Sequence, residues 1–259
     1  MNRLFGMLVF MMAVIATAWA DGPIGTYYLT AGDQQMNWAV QGSGVVYSGA
    51  QVGDEYAIAV GNTVRTLGNQ DNRPGYEYSL NLIPTGVSYP YPVQGVPFYD
   101  GTQDSTHNYS IDYQAGGVYS FDRNWANPQK IFSLNAGGWL GITYDPGNNS
   151  LWLSTFGGST VADYSLSGTL LSSFTTTFPE ITSLARDVDG TLWMGSQAAF
   201  GSFYHYDTKG NYLGMVHYTD LEGQNTLGGE IVGSVPEPAT LTLLGTGLLG
   251  WAARRRLKK

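Results

Sequence analysis

Short stretches in which apolar and polar residues alternate recur along most of the chain. A period of two marks a strand with one face buried. Residues 27–30, 38–41, 45–48, 56–60 and 63–67 alternate in this way, with Gly-rich turns between them. Residues 80–100 are rich in Pro, Gly and Tyr and predict a long irregular connection or a degenerate unit of the same kind. Two segments depart from alternation: residues 4–16 are nearly all apolar, and residues 239–253 form a second apolar run.

The pattern then repeats. GITYDPGNNSLWLSTFGGSTVADYSLSGTLLSSF, from Gly141, is matched by SLARDVDGTLWMGSQAAFGSFYHYDTKGNYLGMV, from Ser183. Each has a short apolar strand, an Asp-containing turn, a Leu-Trp-apolar strand, a Tyr-rich strand, a Gly turn and a last apolar strand. Trp152 and Trp193 hold the same place 41 residues apart, and Tyr109 holds it 43 residues before Trp152 in a weaker third copy. Residues 117–122, 162–166 and 203–207 are the matching third strands. Four strands in a repeat of about 40–45 residues are the signature of a β-propeller blade. One such sheet cannot bury both faces alone, so blades stack around an axis and cover each other. The expected fold is all-β, propeller-like, with about five four-stranded blades over residues 21–218. A β-sandwich is the alternative, since it too is built of short strands and turns. Trp152 and Trp193 are expected to pack between blades.

Composition strengthens the all-β reading. Gly and Tyr are abundant, with 35 and 18 residues, whereas charged residues make up only 12% of the chain; strands joined by tight turns use the former, and helix surfaces need Lys and Glu. The chain has no cysteine, which excludes disulfides, thiolate metal sites and a Cys nucleophile. Of twelve Lys and Arg residues, Arg3 and five in the tail lie outside residues 21–238. Six therefore face all twenty acids, giving that span a formal charge of −14. Such a body repels phosphate backbones, so no nucleic acid partner is expected.

Candidate chemistry in the body is sparse. His107 lies near Asp104 and Asp112, and a His–Asp pair is general-base chemistry. With no second imidazole or nucleophile motif nearby, it reads as a solvated loop histidine. His205 lies in an alternating strand, facing solvent or a neighbouring ring, and His217 in the last strand of its repeat. Asp187-Val188-Asp189-Gly190 begins like a calcium loop, but the chain enters a strand where further ligands are needed, so a hairpin turn is expected. No phosphate loop or Gly-x-Ser-x-Gly elbow is present. No catalytic residue, metal site or cofactor is expected. Tyr-rich segments such as Tyr89-Pro90-Tyr91-Pro92 and Phe98-Tyr99-Asp100 offer rings for sugar stacking beside carboxylates, or simply strand packing.

The two ends concern delivery. Asn2 and Arg3, the apolar run 4–16 and the small-x-small pattern at Ala18 and Ala20 form a secretory signal over residues 1–20, with a signal helix and cleavage before Asp21. An uncleaved anchor is the alternative. Residues 219–234 are polar and Gly-rich and predict a flexible linker, with a closing strand over 229–232 as the rival. Beyond it, the apolar run 239–253 would cover about 22 Å as a helix, against a hydrocarbon core of about 30 Å. It spans a membrane only marginally, with the basic cluster Arg254, Arg255, Arg256, Lys258 and Lys259 held on the cytoplasmic side.

Pro236-Glu237-Pro238, the Gly-studded apolar run and the Arg254–Arg256 cluster resemble the PEP-CTERM sorting signal of Gram-negative bacteria. The resemblance covers residues 235–259 and does not extend to the body. It implies signal peptidase and an exosortase-type processing enzyme as partners, transient inner-membrane insertion of the tail, and delivery to the cell envelope or outside it. The host bacteria often make exopolysaccharide. The expected role is non-catalytic binding or structure, with polysaccharide or surface proteins as partners. A propeller lyase or glycoside hydrolase is the alternative, and so is a protein merely anchored in the inner membrane.

Overall fold

The computed structural model describes residues 21–68 and 72–232. The signal segment with Ala18 and Ala20, the tail with Pro236, Glu237, Pro238 and Arg254–Arg256, and the helices expected at both ends lie outside the described residues. Among those described, no helix is long and apolar enough to cross a membrane.

Among the described residues, twenty strands form five separate four-stranded antiparallel sheets. Blade 1 contains β1 (Thr26–Ala31), β2 (Met36–Gln41) and β3 (Gly44–Ala50); blade 2 contains β4 (Glu55–Val60), β5 (Val64–Gly68), β6 (Gly75–Tyr78) and β7 (Pro84–Tyr89). Blade 3 runs through β8 (Phe98–Gln103), β9 (His107–Asp112), β10 (Gly117–Asp122) and β11 (Gln129–Ser133). Blade 4 is β12 (Trp139–Asp145), β13 (Ser150–Thr155), β14 (Thr160–Ser165) and β15 (Leu170–Thr175). Blade 5 is β16 (Ile181–Arg186), β17 (Leu192–Ser196), β18 (Ser202–Tyr206) and β19 (Tyr212–His217). The last strand, β20 (Gly228–Val232), returns to pair with β1 and completes blade 1 as its first strand. The molecule is a five-bladed propeller, with β4, β8, β12, β16 and β20 neighbouring one another around the axis. The sandwich alternative is excluded, because five sheets are arranged radially about one axis instead of two sheets packed as a pair.

One expectation needs correction. Residues 219–232 are not a flexible linker: the chain makes a 3-10 turn at Thr219–Leu221 and then enters β20, the closing strand expected as the rival, so the folded body extends past residue 218 to Val232. Of the two readings of residues 80–100, the degenerate unit holds, since they contain β7 and the start of β8.

The packing between blades follows the repeat. Trp152 on β13 sits with Ile181, Leu184, Leu192 and Met194 of blade 5, while Trp193 on β17 sits with Tyr27, Leu29 and Val40 of blade 1. Each indole also donates to the Asp of its own hairpin, Trp152 to Asp145 at 3.3 Å and Trp193 to Asp187 at 3.2 Å. In blade 3, the Tyr109 hydroxyl donates to Asp104 at 2.7 Å from the same position. The ring hides the apolar face of the residue while its polar edge finds an acceptor, as a buried Trp or Tyr requires. The Asp187 turn is a hairpin: Asp187 N–H donates to the Thr191 carbonyl, and Gly190 N–H to that of Asp187.

Candidate functional site

An innermost strand is a sheet edge, and its inward-facing N–H groups have no neighbouring strand to accept them. At the centre of the ring those groups are buried, so side chains must supply the acceptors. Asp100, on β8 and wholly buried, takes four of them. One carboxylate oxygen accepts from Gly101 and Gly229, at 2.8 and 2.7 Å; the other accepts from Ile142 and Leu184, at 3.0 and 3.1 Å. The donors belong to β8, β20, β12 and β16. The fifth inner strand closes in at Gly101, where an added Cβ would lie 2.8 Å from the Ile58 carbonyl oxygen of β4. Four blades meet on this one carboxylate, and the fifth packs beside it at Gly101. Burial drives its pKa well up, against the pull of the four N–H bonds.

A second tier lies further along the axis. Glu230 on β20 accepts from Val60 N–H of β4, and from Thr102 hydroxyl (2.8 Å) and Gln103 N–H (3.0 Å) of β8. Burial lifts its pKa to about 7, opposed by these three donors and by Arg65. Thr102 in turn accepts from Tyr144 N–H at 3.0 Å, and Thr143 from Arg186 N–H at 3.1 Å. Asp187 accepts from Ile24 and Gly25 N–H at 2.7 and 2.9 Å, tying blade 5 to the start of blade 1. These acids hold the ring together, and their lone pairs are engaged by backbone.

The two ends of the axis are built differently. The lower mouth, where the inner strands end, is a cavity of about 400 Å³ bordered by Val60, Gln103, Arg186, Glu230 and Val232. Arg186 Nε lies 3.0 Å from Asp145 there. The upper mouth, where the inner strands begin, holds about 280 Å³. Its wall repeats the blade. Tyr56, Tyr99 and Leu140 are the second residues of β4, β8 and β12, and Tyr113, Phe156 and Gln197 follow directly after β9, β13 and β17. The rings form an edge-to-face chain, with Tyr56–Tyr99 at 5.5 Å, Tyr99–Tyr113 at 5.4 Å and Tyr113–Phe156 at 6.0 Å between centroids.

Polar groups gather on one side of this bowl. Asp33 accepts from the Tyr56 hydroxyl at 3.0 Å and from Asn225 Nδ2 at 2.9 Å. Burial, and then the Asp33 charge, push the Tyr56 phenol upward, so it stays a donor. Asn225 is 7% exposed, and its backbone N–H donates to Gln34. With Nδ2 committed to Asp33, its Oδ1 is a buried acceptor that no protein donor reaches. The bowl therefore combines aromatic edges and faces with an acceptor held in place and unused.

The histidines lie away from both mouths. His107 is half-exposed at the start of β9, 4.0 Å from Asp104, while Asp112 at the far end of that strand caps a turn through Gln114 and Ala115 N–H. The structure thus does not bring His107 and Asp112 together. His205 stacks on Trp193 at 4.2 Å and contacts the Thr191 hydroxyl, and His217 lies between Ser202 and Glu222. Among the described residues, no group of three His, Cys, Asp or Glu side chains is placed to hold a metal ion. Of the segments singled out for stacking, Tyr99 lines the bowl; Tyr89 and Tyr91 instead pack with Phe98, Phe121 and Trp125 between blades 2 and 3. Asp33, Asn225, Tyr56 and Tyr113 escaped sequence reasoning; the recurrence of an aromatic at equivalent points of successive repeats was the available signal for the tyrosines.

The fold and the tail define what can be said of class. Residues 234–256 match the PEP-CTERM protein-sorting motif, so the chain carries a sorting signal at the end of a propeller body. The motif implies export, a membrane-anchored intermediate and processing by an exosortase. No curated protein matches the chain by sequence. Among solved structures, it is similar to a chain of the nidogen/laminin complex, with 11% identity over 80% of this chain and 97% of that one, TM-score 0.55. It is also similar to the Myxococcus xanthus glutaminyl cyclase (13% identity, 78% and 81% covered, TM-score 0.54). A looser likeness is to virginiamycin B lyase from Staphylococcus aureus (14% identity, 76% and 67% covered, TM-score 0.48). Identities this low speak to the propeller fold alone.

Proposed function

We propose that the protein is an exported binding protein of the cell envelope or its surroundings, whose upper mouth takes a saccharide. The observation that carries this reading is the buried Asn225 Oδ1, unpartnered at the side of a bowl lined by Tyr56, Tyr99, Tyr113 and Phe156. A sugar ring has apolar C–H faces that lie on aromatic rings, and hydroxyls that donate to amide and carboxylate oxygens. Asn225 and Asp33 offer such acceptors, and an unmet buried acceptor favours a ligand that satisfies it. A polysaccharide outside the cell, such as an exopolysaccharide, is the natural source of such rings. Orientation supports the same reading. The sorting motif begins at residue 234, two residues beyond the end of β20 at the lower mouth. A membrane-inserted tail would therefore leave the body at the mouth opposite the bowl.

The test is a glycan array probed with the full chain in detergent, followed by titration of any hit against Asn225→Ala and Tyr99→Ala. Removal of either contact is expected to weaken binding about tenfold or more. Equal binding by both variants would place the ligand elsewhere, and binding to no glycan would end the saccharide reading. Cleavage of the bound polysaccharide, abolished in Asp33→Asn, would replace binding by catalysis, in line with a lyase or hydrolase.

A further inference from the structure

Only six basic residues lie in residues 21–232, among many acids, yet two of the six turn toward each other. Arg65 on β5 and Arg123, in the turn after β10, both donate through Nη2 to Oε1 of Gln103, the Arg123 bond measuring 2.8 Å. Gln103 Nε2 donates to the Val60 carbonyl, which fixes the direction its own carbonyl faces. Arg65 is 8% exposed, and the Nε atoms of both arginines are buried with no acceptor. Among the described residues, no carboxylate comes within 4 Å of either guanidinium, the ion pairs there being those of Arg73, Arg186, His107 and His217. Glu77 and Glu230 act on Arg65 only from farther off. Both are engaged elsewhere, Glu77 by Thr63, Thr85 and Tyr89 and Glu230 by β4 and β8.

Two cations over one neutral oxygen, one buried and one half-buried, repel, and desolvation adds to the cost. Burial, and then Arg123, push the Arg65 pKa down, yet a guanidinium stays protonated. The arrangement is also spatially prepared. Gly61, in the hairpin between β4 and β5, leaves room for it: an added Cβ would lie 2.5 Å from Arg123 Nη2 and 2.7 Å from Gln103 Nε2. A planar fork matches the two oxygens of a carboxylate, sulfate or phosphate, and a pair of forks brings enough positive charge to hold such a group in an acidic body. We infer that Arg65, Arg123 and Gln103 form an oxyanion subsite beside the lower mouth, separate from the aromatic bowl and independent of the saccharide reading.

The probe is sodium sulfate, titrated into the full chain in detergent at constant ionic strength against sodium chloride, with the thermal midpoint as readout. A specific site gives a rise in Tm that follows ligand linkage, in excess of the chloride control, at millimolar sulfate. Arg123→Gln, a change at a partly exposed turn, is expected to weaken the apparent sulfate affinity about tenfold. Gly61→Ala, which alters no charge, is expected to weaken it as well by displacing Arg123. Methyl glucuronide set against methyl glucoside distinguishes the sources: a rise with the glucuronide alone identifies a sugar-borne carboxylate, and a rise with sulfate but neither sugar identifies a free or esterified inorganic anion. A sulfate effect no larger than that of chloride, or one unchanged in Arg123→Gln, would overturn the subsite.

Discussion

The two mouths of the axis are made from the same five strands and have almost nothing chemical in common. At the upper mouth, the second residues of the inner strands supply Tyr56, Tyr99 and Leu140, and the hairpins beyond supply more rings. At the lower mouth, the last residues of the inner strands are Val60, Gln103, Arg186 and Val232, next to Glu230. The lower end carries the chemistry that closes the ring: Glu230 joins blade 1 to blades 2 and 3, and Arg186 is paired to Asp145. The upper end ties blades 1 and 2 only through Asp33 and Tyr56, and is otherwise aromatic surface with an unmet acceptor. A repeating scaffold thus carries different chemistry at opposite ends of one set of strands.

The sharpest way to break this contrast is at the hub. Asp100→Asn places an NH2 group against two backbone N–H donors, and should cost about 3–5 kcal/mol, read by urea denaturation or as loss of soluble protein. Asp33→Asn at the upper mouth should cost about 1 kcal/mol by the same measurement. Comparable losses for the two would erase the distinction between the ends.

Next in size is the share of the pH dependence that belongs to the lower tier. The folded pKa of Glu230 is raised from 4.5 to about 7, so the native state holds a proton that the unfolded chain has released. Its contribution is full below pH 4.5 and is lost as pH rises through about 7, a decline of up to about 3 kcal/mol. Glu230→Gln should lower stability and flatten the decline between pH 4.5 and about 7, leaving the share due to the raised Asp100; a decline as steep as in the unchanged chain would assign it to other groups. The smallest effect expected is on the flank of blade 3. Tyr109→Phe loses the bond to Asp104 and keeps the ring, for about 1 kcal/mol, with neither mouth disturbed.

Much of the fold was legible because a propeller repeats its local grammar. The Leu-Trp strands around Trp152 and Trp193, each following an Asp turn, announce the blade, and the structure puts both indoles between blades. What was harder to read depends on distance along the chain. GGEIV lies in a polar, Gly-rich stretch with no local alternation, so a closing strand there stood only as a rival to a linker; pairing with β1, at the opposite end of the body, makes it a strand. Its glycines are small because the axis is crowded, and that crowding is invisible in one dimension. Asp100 looks like any turn-adjacent Asp in FYDGT, since its donors come from four strands spread through the chain. The bowl was half legible: Tyr99 stood out beside its neighbours, whereas Asn225 and Asp33 meet only because β20 returns to blade 1.

That return also sets a clock. Export delivers the chain from its N-terminus, so four complete blades and three strands of the first emerge before the strand that locks them. Until residues 228–232 arrive, β1 shows an open edge and the axis has neither Glu230 nor the Gly229 bond to Asp100. The stretch that finishes the ring is followed at once by the sorting motif, so the address comes into view in the same moment as the completed fold. A chain cut short anywhere before Gly228 would lose its keystone and its address together, and so would not be sorted as a half-built ring.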